Sequence, residues 1–154
     1  IYLRFGRPKV PNFTTPELGF EIGKGILLQE GSDVTIVATG HLVWEALEAA
    51  KELAAEGVKA EVINIHTIKP LDTEIILNSV QKTGCIVTAE EHNYLGGMGE
   101  SIAGMLSRNH PTPLEFVATQ DCFGESGTPA QLMQKYGLNK SSIIQKSKEV
   151  IKRK

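Results

Sequence analysis

The stretch Val34–Ile65, VTIVATG HLVWEALEAA KELAAEGVKA EVINI, decides the fold. Val34 to Ala38 is an apolar run rich in β-branched residues, the composition of a strand. Leu42, Val43, Ala46, Leu47, Ala49, Ala50, Leu53 and Ala54 then recur at helical spacing. Gly57 supplies the stop, because glycine enters the left-handed C-terminal cap without a Cβ clash. Val58 to Ile65 returns to strand character. Strand, amphipathic helix and strand in such close succession are the unit of a parallel sheet, since a parallel return needs a crossover that covers one face.

The same alternation continues on both sides. Pro70 followed by Leu71-Asp72 opens a helix, Gly84 precedes a strand over Cys85–Ala89, and Gly96-Gly97-Met98-Gly99 leads into a helix that runs to about Arg108. Leu114 to Ala118 gives a last strand, Pro129 starts a helix that Gly137 ends, and a polar helix runs from about Lys140 to the basic tail. Before the deciding stretch, Gly25 to Gln29 is a short apolar run separated from Val34 by the turn residues Gly31-Ser32-Asp33. These two strands are joined too tightly for a crossover. They are therefore expected to pair as a hairpin and to leave one strand antiparallel to the rest. The fold class is α/β, a three-layer α/β/α sandwich around a five-stranded mixed, mostly parallel sheet, over residues 25–154. Ile1 to Phe5 is strand-like, and Gly6, Pro8, Pro11 and Pro16 interrupt regular structure through about Glu17, so residues 1–24 read as the end of a strand plus a linker.

A chain of 154 residues with 41% hydrophobic composition is long enough to bury one core. Its 16 basic and 18 acidic residues are scattered, giving a formal net charge of −2 and no electrostatic footprint for nucleic acid. No apolar run approaches the roughly 20 residues that span a bilayer, so no membrane partner is expected. Cys85 and Cys122 stand far apart without paired spacing, which fits a reducing, cytoplasmic setting. Position 1 is Ile rather than Met, and a processed chain or a piece of a longer one is expected.

Ligands of open α/β sheets bind outside the carboxyl ends of the strands, which directs attention to three loops. At Thr39-Gly40-His41, either the next helix offers free N–H groups to an anion with His41 as a further donor, or a tight turn carries a surface histidine. The second loop is the densest in ionisable and glycine residues, Ala89-Glu90-Glu91-His92-Asn93-Tyr94-Leu95-Gly96-Gly97-Met98-Gly99-Glu100. Two carboxylates beside a histidine suit acid–base work or a cation. Gly97-Met98-Gly99 begins like a dinucleotide fingerprint, but Ile102 stands where its third glycine belongs. The structural alternative is a close helix-to-sheet approach at Gly96, Gly97 and Gly99, with Glu90 and His92 hydrogen-bonded across the loop or at a subunit contact. In the third loop, Gly124-Glu125-Ser126-Gly127 resembles a nucleophile elbow whose last glycine comes one residue early. Thr128 before Pro129 reads instead as a helix cap.

Three of these motifs together carry a family resemblance. Thr88 to Glu100 resembles the transketolase pattern of an acidic pair, a histidine and Gly-Gly-x-Gly-Glu. Phe123-Gly124-Glu125-Ser126-Gly127, with Leu132 and Tyr136-Gly137-Leu138, looks like that family's closing signature, and Val37-Ala38-Thr39-Gly40 also fits. The likeness runs from about Gly25 to the end and is to the C-terminal domain, especially the separate C-terminal subunit of split transketolases. The resemblance implies an enzyme that moves two-carbon ketol units between sugar phosphates, with thiamine diphosphate and Mg²⁺ held by a diphosphate-binding and a pyrimidine-binding domain. This chain looks like neither, having no Gly-Asp-Gly followed by an Asn-containing segment. It is expected to contribute to assembly rather than chemistry, to hold no cofactor or metal, to be inactive alone, and to associate with the cofactor-binding domains or subunit and with itself. Leu3-Arg4-Phe5-Gly6-Arg7-Pro8-Lys9-Val10-Pro11 resembles the last strand of the pyrimidine-binding domain, whose arginine contacts substrate phosphate; Arg7 fits that position best and Arg4 next. Deoxyxylulose-phosphate synthases and the β subunits of 2-oxo acid dehydrogenases share the architecture, while the Phe123–Gly127 signature favours transketolase. A non-catalytic association module is the reading from another class.

Overall fold

The computed structural model describes residues 1–6 and 9–154. Five strands, β1 (Ile26–Gln29), β2 (Val34–Ala38), β3 (Ala60–Asn64), β4 (Ile86–Asn93) and β5 (Leu114–Thr119), form one sheet in the order β1-β3-β2-β4-β5. The helices are α1 (Leu42–Ala55), α2 (Thr73–Thr83), α3 (Met98–Asn109), α4 (Pro129–Lys135) and α5 (Lys140–Ile151), with one 3₁₀ turn at Pro16–Leu18.

Strand alternation sorts the core into two layers. Val34, Ile36 and Ala38 of β2 join Leu42, Ala46 and Leu53 of α1 and Ile143 and Val150 of α5 on one face. Val37 and Ile63 turn the other way, onto Ile76 and Val80 of α2 and Ile102 and Leu106 of α3. Each fully buried Leu or Ile is worth about 1.5–3 kcal/mol, so the two layers supply most of the driving force. The central strands β2 and β3 are buried along their whole length. That is the pattern of strands covered on both faces, as the sandwich reading requires. The nominally polar α5 carries Ile143, Ser147 and Val150 on one buried stripe.

β1 is the one antiparallel strand, as expected, but its partner is not β2. It pairs with β3 in the register Ile26 to Asn64 and Leu27 to Ile63, and β3 lies between it and β2. The expected hairpin is therefore corrected to a turn that passes over the start of β3. Ser32 and Asp33 donate their N–H groups to Lys59 O at 3.0 and 2.9 Å, and Asp33 Oδ2 accepts from Lys59 N at 2.7 Å. Gly31 packs so closely on the backbone of Ala60 and Glu61 that a Cβ would collide with it. These contacts hold β1 one strand further out than a hairpin would.

The strand expected over Ile1–Phe5 is also absent: residues 1–6 form no regular element, and Ile1, Tyr2, Leu3 and Phe5 are exposed. An alternating pattern makes a strand only where a ladder partner exists, and both ends of this sheet are formed by other segments. Helix ends follow the sequence signals. Asp72 caps α2, Thr128 and Gln131 form a capping box at α4, and Gly84 closes α2 with φ 77°.

Candidate functional site

From β2 the chain crosses by α1 to β3 on one side, and from β4 by α3 to β5 on the other. The strand order thus reverses between β2 and β4, and the loops leaving these strands diverge around a crevice. The two carboxyl ends are tied together where Thr39 N donates to Ala89 O at 3.1 Å.

β4 then delivers its acidic pair to opposite faces, since successive strand residues alternate. Glu90 is buried and turns toward α3. Its Oε2 accepts from Met98 N and its Oε1 from Gly99 N, each at 2.7 Å. These are two of the free N–H groups that begin a helix, and a carboxylate at the positive end of the helix dipole is well placed. A Cβ on Gly97 would lie 2.7 Å from both Glu90 oxygens, and one on Gly99 would lie 2.6 Å from Thr88 Oγ1 and from the Phe116 ring. Both glycines are thus required by a close approach of α3 to the sheet. Gly96 has φ 73° and donates to Glu100 Oε2 at 2.5 Å. The Thr88 hydroxyl is buried without a hydrogen-bond partner.

Glu91 faces the α1 side, where its Oε2 lies 3.2 Å from His41 Nδ1. Gly40, at φ 58°, makes the turn that puts His41 at the start of α1. His92 is exposed at the end of β4, and Arg4 of the N-terminal segment reaches it: the guanidinium contacts His92 Nε2 and donates to Glu91 O at 3.4 and 3.5 Å. Two residues on, Gly6 packs against the His41 ring with no room for a Cβ. Arg4, His41, Glu91 and His92 form one surface cluster, and Glu90 stands apart from it. Arg7 lies outside the described residues. Among the described residues no group of three His, Cys, Asp or Glu side chains is disposed to hold a metal ion.

Beside the cluster opens a cleft of about 660 Å³ lined by Lys9, Pro11, His41, Trp44, Glu91 and Tyr136, among others. The Phe123–Gly127 loop borders it, fully exposed, and is tied to α4 by Lys135 Nζ, 2.6 Å from both Glu125 carboxylate oxygens, and by the Tyr136 hydroxyl donating to Phe123 O at 3.2 Å. Ser126 sits in this loop ahead of Pro129, where α4 begins, so it is not at a strand-to-helix elbow. Asn93 Nδ2 donates to Asp121 Oδ1 at 2.8 Å and joins the two sequence motifs. Asp121 has φ 48°, which an aspartate tolerates. Neither this clasp nor the seat of Gly6 on His41 was legible in the sequence. Nor was the separation of Glu90 from Glu91, because the strand was expected to end at Ala89 and β4 instead runs on to Asn93.

Fold, switch-point loops and close helix approach define an open, mostly parallel α/β domain with its loop cluster at the carboxyl ends of β2 and β4. The family model for the transketolase C-terminal domain matches residues 23–143, and the chain belongs to that family. It is 46% identical over 154 residues to a 6-deoxy-6-sulfo-D-fructose transketolase subunit of Clostridium sp. (strain MSTE9), covering 100% of this chain and 48% of that protein. An apulose-4-phosphate transketolase subunit of Phocaeicola vulgatus is 34% identical over 154 residues, covering 99% of this chain and 49% of the relative. A 1-deoxy-D-xylulose-5-phosphate synthase of Heliobacterium modesticaldum is 41% identical over 130 residues, 84% of this chain and 20% of its own length. Among solved structures, a split-gene transketolase described as an inactive β4 tetramer superposes with a TM-score of 0.92 at 44% identity, over 96% of this chain and 48% of that one. The chain spans about half the length of the transketolase subunits it matches.

Proposed function

We propose that this chain is the C-terminal part of a split transketolase that transfers two-carbon ketol units between sugars carrying a terminal anion. The carrying observation is its similarity, over its whole length, to a transketolase subunit whose named substrate ends in a sulfonate. A second relative is named for a sugar phosphate, which supports a terminal anion as the common feature of the substrate. The Phe123–Gly127 sequence supports the transketolase reading over that of a deoxyxylulose-phosphate synthase.

Arg7 is assigned first, and Arg4 next, to the substrate's terminal anion. A guanidinium presents five donors in a rigid fork, and those of Arg4 not used by Glu91 and His92 remain for two oxygens of a phosphate or sulfonate. Thiamine diphosphate supplies the carbanion chemistry in the complete enzyme. The residues here do not fit it: the glycine-rich helix start at α3 already spends its first free N–H groups on Glu90, which fills the place a diphosphate would take. The cofactor and its Mg²⁺ are assigned to the partner domains, and this chain to assembly and the anionic end of the substrate. Exposed Leu95 and Phe123 supply apolar surface for association with that partner and with a second copy. The chain alone is inactive in this proposal and works in the cytoplasm.

The test is to combine the subunit carrying this chain with its cofactor-binding partner and measure ketol transfer from phosphorylated, sulfonated and uncharged ketoses. Activity should need both proteins and favour an anionic donor. Activity of the chain alone, or none in any mixture while the proteins associate, overturns the proposal.

A further inference from the structure

We infer that the outer edge of β1 is an interface for a second copy of this chain, whose own β1 pairs with it antiparallel about a two-fold axis through Leu27. The inference names a surface for self-association and needs neither cofactor nor substrate, so it does not rest on the ketol-transfer reading.

The two ends of the sheet are finished differently. An edge strand turns the N–H and C=O groups of alternate residues away from its neighbour, and they pair with any strand that reaches them unless something covers them. On β5 there is cover: Arg153 donates to Leu114 O at 3.2 Å and Gln120 Nε2 to Ala118 O at 2.9 Å, while Glu115 pairs with Lys146 and Arg153. β1 has none. Among the described residues, the backbone of Ile26–Gln29 makes no hydrogen bond beyond its ladder with β3, and the strand holds no charge and no proline. Leu27 is 37% exposed, and Gln29 turns its amide inward to Ala60 O at 3.2 Å. An uncharged edge of this kind is a template for another strand.

The residues that flank the edge fix the occupant. Lys24 precedes it and Glu30 follows it, with side chains 54% and 78% exposed. Each is loosely used within the chain: Lys24 lies 3.8 Å from Glu74, and Glu30 shares the Lys82 ammonium with the buried Glu61. Antiparallel strands crossing at Leu27 set Leu27 against Leu27, Ile26 against Leu28, Gly25 against Gln29 and Lys24 against Glu30. Opposite charges then close both ends of the shared ladder. A slip of one residue either way sets Lys24 against Gln29 or Gly31 and loses both pairs. The edge is thus complementary to itself, which is the condition for a two-fold interface. The bulge between Leu27 and Gln29 keeps the ladder short, so the dimer is weak and depends on concentration.

The experiment is sedimentation equilibrium of the 154-residue chain over a concentration series, where a monomer–dimer equilibrium is expected. Leu27→Lys, which adds the charge that open edges usually carry, should weaken the dimer about tenfold or more and leave thermal unfolding of dilute protein unchanged. Lys24→Glu and Glu30→Lys should each weaken it about threefold or more by opposing like charges, and the double variant should recover it. The register has its own readout. In a Cys122→Ser background, with Cys85 buried, Leu27→Cys should join two copies on mild oxidation, because directly opposed Cβ atoms lie about 4.5–5.5 Å apart; Gln29→Cys should not. A chain that stays monomeric at the highest concentration reached, a dimer indifferent to Leu27→Lys, or a double charge variant weaker than either single variant overturns the inference. Leu27→Lys that leaves the copies associated and abolishes binding of the cofactor-binding partner gives the edge to that partner and overturns it too. None of these outcomes bears on ketol transfer, which the mixing experiment tests separately.

Discussion

Glu90 on β4 grips Gly99 at the start of α3, its Oε1 accepting the Gly99 N–H at 2.7 Å while its other oxygen takes the N–H of Met98 at the same distance. One buried carboxylate thereby does the work of an N-cap, from a strand eight residues earlier in the chain. Glu90→Ala should leave both N–H groups buried and unpaired, at about 1–3 kcal/mol each. Glu90→Gln keeps a single acceptor and should lose about half as much. Urea unfolding of the three proteins at one pH measures this; equal stability of wild type and Glu90→Ala would show that water replaces the carboxylate and that the clamp is dispensable.

Two glycines of α3 should respond oppositely to alanine. At Gly99 a Cβ would lie 2.6 Å from Thr88 Oγ1 and from Phe116, whereas at Gly104 it would meet nothing within 4 Å. Gly99→Ala should push the helix off the sheet and cost about 1–3 kcal/mol or more. Gly104→Ala should stabilise by about 0.5–1 kcal/mol through helix propensity alone. Opposite shifts of the unfolding midpoint confirm the close approach. A neutral Gly99→Ala would remove the reason for glycine there.

Gly97 and Gly99 were readable because a local rule explains them: a Gly-rich start to a helix after a strand marks close backbone approach. The strands and helices of Val34–Ile65 were readable for the same reason, since each period is expressed within one segment. The β1–β3 pairing was not. Hairpin logic is local, and what overrides it is the passage of Gly31 over the backbone of Ala60 and Glu61, residues some thirty positions away. The cluster divides similarly. Glu91, His92 and Arg4 each stood out by residue type, but their meeting depends on how an arm without secondary structure lies across the sheet, which no periodicity encodes.

His66 should make the fold sensitive to mild acid. It follows β3, stacks on Phe20 with ring centroids 4.5 Å apart, and has Nε2 shielded from water without a partner. Burial pushes its imidazole below the ordinary 6.5. The unfolded chain therefore takes up this proton first as pH falls. The stability associated with neutral His66 is fully present above about pH 6.5 and declines below it, levelling once the folded protein also protonates. His66→Gln should flatten that part of the stability–pH curve. A wild-type curve and a variant curve that remain parallel between pH 7.5 and pH 5 would assign the acid sensitivity elsewhere.

Lys82 should govern the alkaline side. Glu61 points from the buried β3 toward α2, its side chain only 3% exposed, and meets the Lys82 ammonium, which also reaches Glu30 at 3.2 Å. The hydrogen bond to Glu61 is the main reason the ammonium titrates above its ordinary 10.5. A base whose folded value is raised contributes stability that is complete below about pH 10.5 and is lost as pH climbs through the folded value. Lys82 is 42% exposed, so solvent screens the pair and the direct Coulomb gain is small. The larger effect belongs to the carboxylate left behind: Lys82→Met strands Glu61 with only the Gly31 N–H at 3.4 Å, and should cost about 1–3 kcal/mol at pH 7. Removing both charges in Glu61→Leu with Lys82→Met should cost less than Lys82→Met alone, because no charge remains buried. Denaturant unfolding of the wild type, the single variant and the double variant between pH 7 and pH 11 separates these effects. The wild type should lose stability toward pH 11 and the double variant should lose less; a double variant weaker than Lys82→Met at pH 7 would mean that the pair itself, rather than the relief of an unpaired carboxylate, holds β3 to α2.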